Sequence, residues 1–275
     1  MGITDDQFWQ AIEAYWTRYP QYSEAKTYGY CRMSGLPTGG YAWRCLPFMT
    51  PGMNLKEFKE MVQPLLDDWE ALGVHPPITF FEYDNLYDAW ESHFPVERVG
   101  GAYGRTGSRL IPRENFANAE ITNKTIQTVR SVVEDGAFLV HYNMNADAPD
   151  NTPDSAANPA WRDNMMFCII GLLWDADTPQ DEVAHIHDKL TNDLVQRLKD
   201  VAPNGGGYGN EGDVMDPEFG QSFFGDNYQR LLEIKQRVDP KDVFWAPTAV
   251  GSEDWYITGQ QPYMTTQNGR LCRRK

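Results

Sequence analysis

Apolar residues recur every three or four positions in several parts of the chain, which is the spacing that one face of an α-helix requires. The clearest case is the segment 54–72, where Asn54 precedes the apolar positions as a cap and Gly73 follows them. We expect Asp5 or Asp6 to cap the first helix in the same way. The helices predicted from this spacing are residues 5–19, 54–72, 84–92, 123–134 and 226–237, and one that begins at Thr178.

Other segments alternate between apolar and polar residues, the pattern of a strand with one buried face. Residues 26–34 and 41–49 do so on either side of a Gly/Pro turn and predict a hairpin. Residues 164–174 are a continuous apolar run and predict a central strand. The other predicted strands are 77–83 and 137–144, and the predicted loops are 97–107, which contains Arg98, and 146–163.

The order of these elements predicts the fold class. Strands come in pairs, without a regular alternation of strand and helix along the chain. This order favours an α+β fold, with an antiparallel sheet and helices packed on one face of it. The sequence shows no internal repeat, so a repeat architecture is not expected.

The composition is that of a globular protein with an acidic surface. The chain has 275 residues, 41% hydrophobic and 13% aromatic, enough for one large domain or a domain with an appended segment. Its formal net charge is −15, so we expect neither nucleic acid nor a membrane as a partner. No apolar run approaches membrane-spanning length, and the N-terminus lacks the pattern of a signal peptide. The localisation, secreted or cytoplasmic, is left open.

Neither the cysteines nor the histidines have the spacing of a metal site. Cys31 and Cys45 flank the predicted hairpin turn, where a disulfide can form, but two buried free thiols are the favoured expectation. His185 and His187 lie two apart on a predicted helix, so they point to nearly opposite faces. His141, in the middle of a predicted strand, is expected to be a hydrogen-bonded structural residue.

Residues 207–212 match the G-x-G-x-x-G pattern of dinucleotide-binding proteins, but their surroundings argue against that function. Such a site needs a strand before the glycines and a helix after them, so that backbone amides meet the pyrophosphate. Here a predicted helix precedes the glycines, and the acidic residues that follow, Asp213 and Asp216, would repel phosphate. We therefore expect the glycines to let the backbone approach another surface of the protein closely.

Three stretches near the C-terminus, residues 208–213, 224–235 and 239–245, carry the strongest indication of function. Their order, spacing and residue types resemble the C-terminal signature of the berberine-bridge-enzyme-like FAD-linked oxidases, in particular the fungal branch. These enzymes belong to the vanillyl-alcohol-oxidase superfamily of flavoproteins. Residues 108–113 and 158–162 agree with the same family.

The resemblance implies a division of the chain and a chemistry. It implies a substrate-binding domain at residues 1–205, a berberine-bridge-like segment at 206–255 that in relatives returns to the FAD domain, and an irregular tail at 256–275. It also implies FAD as cofactor and oxidation of an alcohol, a sugar or a secondary metabolite. In that reaction the substrate loses a proton and a hydride passes to the flavin, which molecular oxygen reoxidises.

The flavin-binding half of the family precedes these motifs and is not matched in this chain. We therefore expect a separate FAD-binding domain as a partner, and weak FAD binding by this chain alone. The alternative is a non-catalytic ligand-binding module or a truncated gene product that lacks the flavin domain.

The resemblance also selects candidate site residues. Tyr208 and Asn210 match the family's Tyr-x-Asn motif, and in an extended segment both would lie on one side. The residue after this Asn is a tyrosine general base in many relatives. Here it is Glu211, which needs burial to raise its pKa for that role and which has a structural role as its alternative.

We assign catalysis to Glu211 and Tyr208, contact with the flavin to Tyr208 and Asn210, and substrate binding to Tyr142 and Trp161. Tyr142 is the neighbour of His141 that points to the opposite face of its strand. For Trp161, the favoured alternative is that it anchors its loop together with Arg162.

Overall fold

The structure, a computed structural model, describes residues 2–94, 103–146 and 155–274. The strands of its main sheet are β1 (Tyr28–Gly35), β2 (Tyr41–Met49), β3 (Gly104–Pro112), β4 (Phe138–Asn143) and β5 (Asn164–Leu173). They pair antiparallel in the order β2-β1-β4-β5-β3. A small separate sheet pairs β6 (Trp255–Ile257) with β7 (Leu271–Arg273). The predicted α+β class and antiparallel sheet are confirmed.

Helices account for most of the remaining regular structure. They are α1 (Asp5–Trp16), α2 (Tyr19–Glu24), α3 (Leu55–Ala71), α4 (Leu86–His93), α5 (Ala119–Glu134), α6 (Gln180–Lys189), α7 (Val195–Val201), α8 (Phe219–Phe224) and α9 (Tyr228–Val238). A π-helical turn, Leu190–Leu194, joins α6 to α7. Within the described ranges, no helix is long and apolar enough to cross a membrane.

The start of α3 confirms the predicted cap, whereas the start of α1 does not. The Asn54 side chain accepts the backbone N–H of Glu57, and the Glu57 carboxylate accepts that of Asn54. The cap of α1 is Thr4, which makes the same reciprocal pair with Gln7, rather than either aspartate that follows it. Both pairs are capping boxes, which satisfy backbone donors that the first helical turn leaves free.

β3 is a strand that the sequence analysis missed. The predicted loop 97–107 falls partly outside the described ranges, Arg98 included, but residues 104–107 begin β3. A Cβ atom on Gly107 would lie 2.4 Å from Cγ2 of Val195, at the start of α7. The glycine therefore reflects close packing of a helix on the strand, not a flexible connection.

The strand predicted at 77–83 is wrong, because the structure has no strand there. Pro76 and Pro77 stand at its start, and proline donates no backbone hydrogen bond to a neighbouring strand. Ile78 and Phe81 are 45% and 54% exposed, so the apolar residues that suggested a strand cover no core.

The core lies between one face of the sheet and the helices, and His141 of β4 is buried in it. Trp43 Nε1 donates to His141 Nε2 over 3.1 Å, and His141 Nδ1 lies 2.7 Å from the hydroxyl of Tyr19. Because Nε2 accepts a hydrogen bond, the neutral ring carries its proton on Nδ1 and donates it to Tyr19. The predicted structural role of His141 is confirmed.

The burial of His141 predicts a pH dependence of stability. Burial lowers the pKa of His141 from 6.5 to about 3. Between these pH values the unfolded chain binds a proton that the folded chain excludes, so acid favours unfolding by up to about 1.4 kcal/mol per pH unit. We expect the free energy of unfolding to fall less steeply below pH 6.5 in His141→Gln than in the wild type.

Denaturant titrations at several pH values measure this slope. The control is His185→Gln, which removes an exposed imidazole of α6 in place of a buried one. Parallel slopes for the wild type and His141→Gln would contradict the assignment.

Cys31 and Cys45 form a disulfide, so the favoured expectation of two free thiols is wrong. The two residues face each other across β1 and β2, and their Cα atoms lie 3.9 Å apart. Directly opposite positions of a hairpin bring the two side chains together on one face. The bridge lies on the side of the helices, where the hydroxyl of Tyr15 is 3.6 Å from Cys31 Sγ.

Candidate functional site

A row of aromatic side chains crosses the sheet on the face opposite the helices. Tyr30 of β1, Tyr142 of β4 and Phe167 of β5 are direct neighbours in the strand register. Their ring centroids are 5.1 and 5.5 Å apart, with interplanar angles of 15° and 23°. We call these three residues the aromatic row. Their stacked rings make this face apolar, with phenol hydroxyl groups among the ring edges.

The glycine-rich segment passes along β3 and leads the chain onto this face. The N–H of Leu110 donates to the carbonyl oxygen of Gly206 over 2.8 Å. A Cβ atom on Gly205 would lie 2.1 Å from the carbonyl oxygen of Leu110, and one on Gly206 would lie 2.6 Å from Nδ2 of Asn158. Only glycine fits at these distances, which confirms the expected close approach of the backbone.

Residues 208–211, which we call the site turn, follow the glycines. The N–H of Glu211 donates to the carbonyl oxygen of Tyr208 over 3.0 Å and closes the turn. The expectation of an extended segment is therefore wrong, because Gly and Asn favour a turn here. The turn nevertheless brings the side chains of Tyr208 and Asn210 together, and Asn210 Nδ2 donates to the Tyr208 hydroxyl over 2.9 Å.

The ring of Tyr208 lies over the end of the aromatic row. It meets Trp161 and Phe167 edge-on, at centroid distances of 5.6 and 6.1 Å. Tyr208 is still 37% exposed, and Asn210 is exposed as well. The motif therefore has one side packed on the sheet and one side open to a further ligand or protein surface.

Glu211 lies within electrostatic reach of two phenols on the sheet. Its half-buried position raises its pKa through loss of solvation. Burial is also the main reason that the pKa values of Tyr28 and Tyr142 are raised, and the charge of Glu211 adds to both shifts. A raised pKa makes a carboxylate a stronger base than it is in water.

The described residues contain no set of side chains that could bind a metal ion. No group of three His, Cys, Asp or Glu side chains there could hold a metal ion. His187 is buried and His185 is exposed, which confirms that they point to opposite faces of α6. His187 contacts the carbonyl oxygen of Tyr263 over 2.5 Å through Nδ1.

Comparison with known proteins places this site in a family. The family model for berberine and berberine-like proteins matches residues 207–251. The chain is 31% identical to the bifunctional decalin synthase calF of Penicillium decumbens, over 98% of this chain and 45% of that protein. It is 27% identical to the VAO-type flavoprotein oxidase VAO615 of Thermothelomyces thermophilus, over 99% of this chain and 46% of that protein.

Solved structures agree with these relatives. The crystal structure of the VAO-type flavoprotein MtVAO615 from Myceliophthora thermophila C1 matches with a TM-score of 0.81 and 25% identity, over 99% of this chain and 48% of that one. Residues 207–251 match the berberine-like family, and the chain is similar over nearly its whole length to part of these flavoproteins. It spans about half the length of the curated relatives that it matches. Berberine bridge enzyme from Eschscholzia californica, at 12% identity and a TM-score of 0.55, shares the fold.

The berberine-bridge-like site turn brings together the residues that the sequence singled out. Tyr208, Asn210, Glu211, Tyr142 and Trp161 all lie on the face of the aromatic row. Their chemical roles stay predictions.

Trp161 lies in an anchored loop, as its favoured alternative role requires, and its role in substrate binding stays a prediction. It lies in a 3₁₀ turn, Pro159–Asp163, that is tied down where its N–H donates to the carbonyl oxygen of Asn158 and where Arg162 donates to that of Ala146. Its ring forms part of the site surface. The rest of the predicted loop, residues 147–154, lies outside the described ranges.

Tyr28, Ser108 and Phe167 were missed by the sequence analysis. The signal for Tyr28 was available, because Tyr28 and Tyr30 alternate with Gly29 and Cys31 along β1. Alternate residues of a strand share a face, so the burial of Cys31 among the helices puts the two tyrosines on the other side. Phe167 had no such signal, since its role depends on how the strands are ordered in the sheet. Ser108 lies in the stretch 108–113 that agrees with the family, but its contact with Tyr208 depends on the same order.

The berberine-bridge-like segment also presents an apolar surface beyond the site turn. None of the residues of α9 is buried. Val238, Val243 and Phe244 are 72%, 72% and 83% exposed, and we call these three the C-terminal apolar surface. The three residues lie within seven positions of one another in the sequence, and contiguous exposed apolar surface is typical of sites that bind another molecule.

Proposed function

We propose that this chain supplies the substrate-facing wall of an FAD-dependent oxidoreductase, and that another stretch of polypeptide holds the flavin. The observation that carries the proposal is the exposed site turn on the aromatic row, at residues that the berberine-like family model matches. The length of the relatives supports a second, flavin-binding part, since this chain spans about half of that length.

The residues present fit the ring of FAD but not its phosphates. Tyr208 and Asn210 offer an aromatic edge, a hydroxyl and an amide on an exposed surface, which suits contact with a planar heterocycle. The glycine segment offers no comparable cradle for a pyrophosphate, because the N–H groups of Gly205 and Gly207 already donate to the carbonyl oxygens of Ala202 and Ser222. Asp213 lies close by and is buried, and its carboxylate would repel phosphate.

FAD, when bound, would accept a hydride from the substrate. The residues of this chain would prepare that transfer by binding, orientation and proton removal. Glu211 would take the proton of a substrate hydroxyl, while Tyr208 and Asn210 would face the flavin. Tyr142 and Trp161 would line the space for an alcohol, a sugar or a secondary metabolite. Molecular oxygen would then reoxidise the flavin.

The C-terminal apolar surface would dock against the flavin-binding part. Phe244 and its neighbours Val238 and Val243 are too exposed to stabilise this chain by their own packing. Burying them against a second protein part removes apolar area from water, which favours association. Lys235 and Asp239 form an ion pair of 2.5 Å that holds the turn before this surface in place.

The test is reduction of flavin in a protein that contains both parts. We would join the portion of VAO615 that this chain does not match to the N-terminus of this chain, and mix the flavin-loaded fusion anaerobically with alcohols, sugars and phenols. Loss of absorbance near 450 nm with one of them is the expected result. If no compound reduces the flavin but one raises the melting temperature of the chain alone, the chain is a binding module instead.

A further inference from the structure

Ser108 occupies the position where the glycine-rich segment leaves β3. The segment pairs with the strand through Leu110 and Gly206, and this register continued by two residues would place Tyr208 opposite Ser108. At Tyr208, however, the backbone N–H and carbonyl groups bond to the side chain of Ser108. The N–H of Tyr208 donates to Ser108 Oγ over 3.0 Å, and Oγ donates to the carbonyl oxygen of Tyr208 over 3.3 Å.

We propose that Ser108 is a positioning residue that fixes Tyr208, and with it the site turn, over the aromatic row. A serine hydroxyl has one donor and two acceptor positions, so one side chain satisfies both backbone groups of Tyr208. The carbonyl oxygen of Tyr208 also accepts the N–H of Glu211 that closes the turn. The Ser108 hydroxyl therefore helps to position both Tyr208 and Glu211, because the carbonyl oxygen of Tyr208 accepts a hydrogen bond from each of Ser108 and Glu211.

The chain is fixed again two residues beyond the site turn, at Asp213. The buried carboxylate of Asp213 accepts the hydroxyl of Thr191 over 2.5 Å and the N–H of Met215 over 2.9 Å. With both ends held, the exposed middle of the turn keeps its geometry before any ligand arrives. Such preorganisation is what a site needs when a misplacement of about 1 Å costs up to 10²-fold in rate.

Ser108 is buried, at 6% exposure, and Tyr208 N–H has this hydroxyl as its acceptor. We call the two hydrogen bonds between Ser108 Oγ and the backbone of Tyr208 the clamp. The inference that the clamp serves flavin chemistry rests on the proposed function, whereas the existence of the clamp does not. The two are therefore tested by separate measurements.

The clamp is tested in the chain without flavin, by amide hydrogen exchange at Tyr208 in Ser108→Ala and Ser108→Thr. We expect exchange about tenfold faster in Ser108→Ala, the loss of about one hydrogen bond, and near wild-type exchange in Ser108→Thr, which keeps the hydroxyl. The amide of Leu110, bonded to Gly206, should be unchanged in both. Unchanged exchange at Tyr208 in Ser108→Ala, or equally fast exchange in Ser108→Thr, would overturn the proposal.

The consequence for chemistry is tested in the flavin-loaded fusion. Ser108→Ala should slow flavin reduction by about tenfold to 10²-fold with little change in the substrate concentration that gives half the maximal rate. Ser131→Ala is the matched control, because it removes a hydroxyl that bonds only within and beside α5. Equal rates in Ser108→Ala and Ser131→Ala would overturn the functional part. A fusion that holds no flavin would instead refute the proposed function and leave the exchange result standing.

Discussion

Replacing Glu211 by Gln is expected to slow reduction of the bound flavin by about 10²- to 10⁴-fold, the range over which a positioned general base acts. Glutamine keeps the shape of the side chain but cannot accept a substrate proton. Burial raises the pKa of Glu211, so the wild-type rate should rise with pH as this carboxyl group loses its proton. Stopped-flow absorbance near 450 nm in the flavin-loaded fusion, followed across pH, measures both effects.

Glu24→Gln is the matched control for that variant. Glu24 is an exposed acid at the end of α2, so the same change in charge should leave the rate as it is. We attribute the rising limb of the pH profile to Glu211, so Glu211→Gln should lack it. A Glu211→Gln protein with wild-type rate and pH profile would assign Glu211 the structural role instead.

Gly205→Ala should destabilise the chain by at least about 2 kcal/mol, the scale of overpacking a filled site. Its Cβ atom would lie 2.1 Å from the carbonyl oxygen of Leu110, which is backbone in the edge strand of the sheet and cannot rotate away. The segment would have to move off β3 and break the bond between Leu110 and Gly206. Denaturant unfolding gives the loss of stability, and faster amide exchange at Leu110 locates it.

Gly209→Ala separates this steric effect from the flexibility of glycine in general. Its Cβ atom would lie 3.6 Å from the ring of Phe223, an ordinary contact. We expect a change within about 0.5 kcal/mol, as for most surface substitutions. Similar losses for the two variants would contradict the view that the glycines serve close approach to β3.

The spacing of apolar residues predicted the elements in which burial in the core alone sets that spacing. The helices α3 and α5 follow a repeat of three to four residues, β5 is a continuous apolar run, and the hairpin β1–β2 follows a repeat of two. β3 does not, since two of its residues, Gly104 and Gly107, are glycines required by close packing. Single-chain patterns do not reveal such packing, because the residues that demand it, Leu173 and Val195, lie far along the chain.

The candidate site was predictable only where its residues are neighbours in sequence. Tyr208, Asn210 and Glu211 form one motif, and the resemblance to a family pointed to them. The surface beneath them combines residues of β1, β3, β4 and β5, and its composition follows from the sheet order β2-β1-β4-β5-β3. That order is set by tertiary packing, so the contacts of Tyr208 with Phe167 and Ser108 could not be read from spacing.

The flavin content of the purified protein distinguishes a chain that holds FAD by itself from one that needs a second protein part. We would express this chain alone and joined to the unmatched portion of VAO615, add FAD to both, remove the excess and measure absorbance near 450 nm per mole of protein. We expect about one flavin per molecule in the fusion and little in the chain alone. Stoichiometric, tightly held flavin in the chain alone, or a folded fusion without flavin, would contradict this expectation.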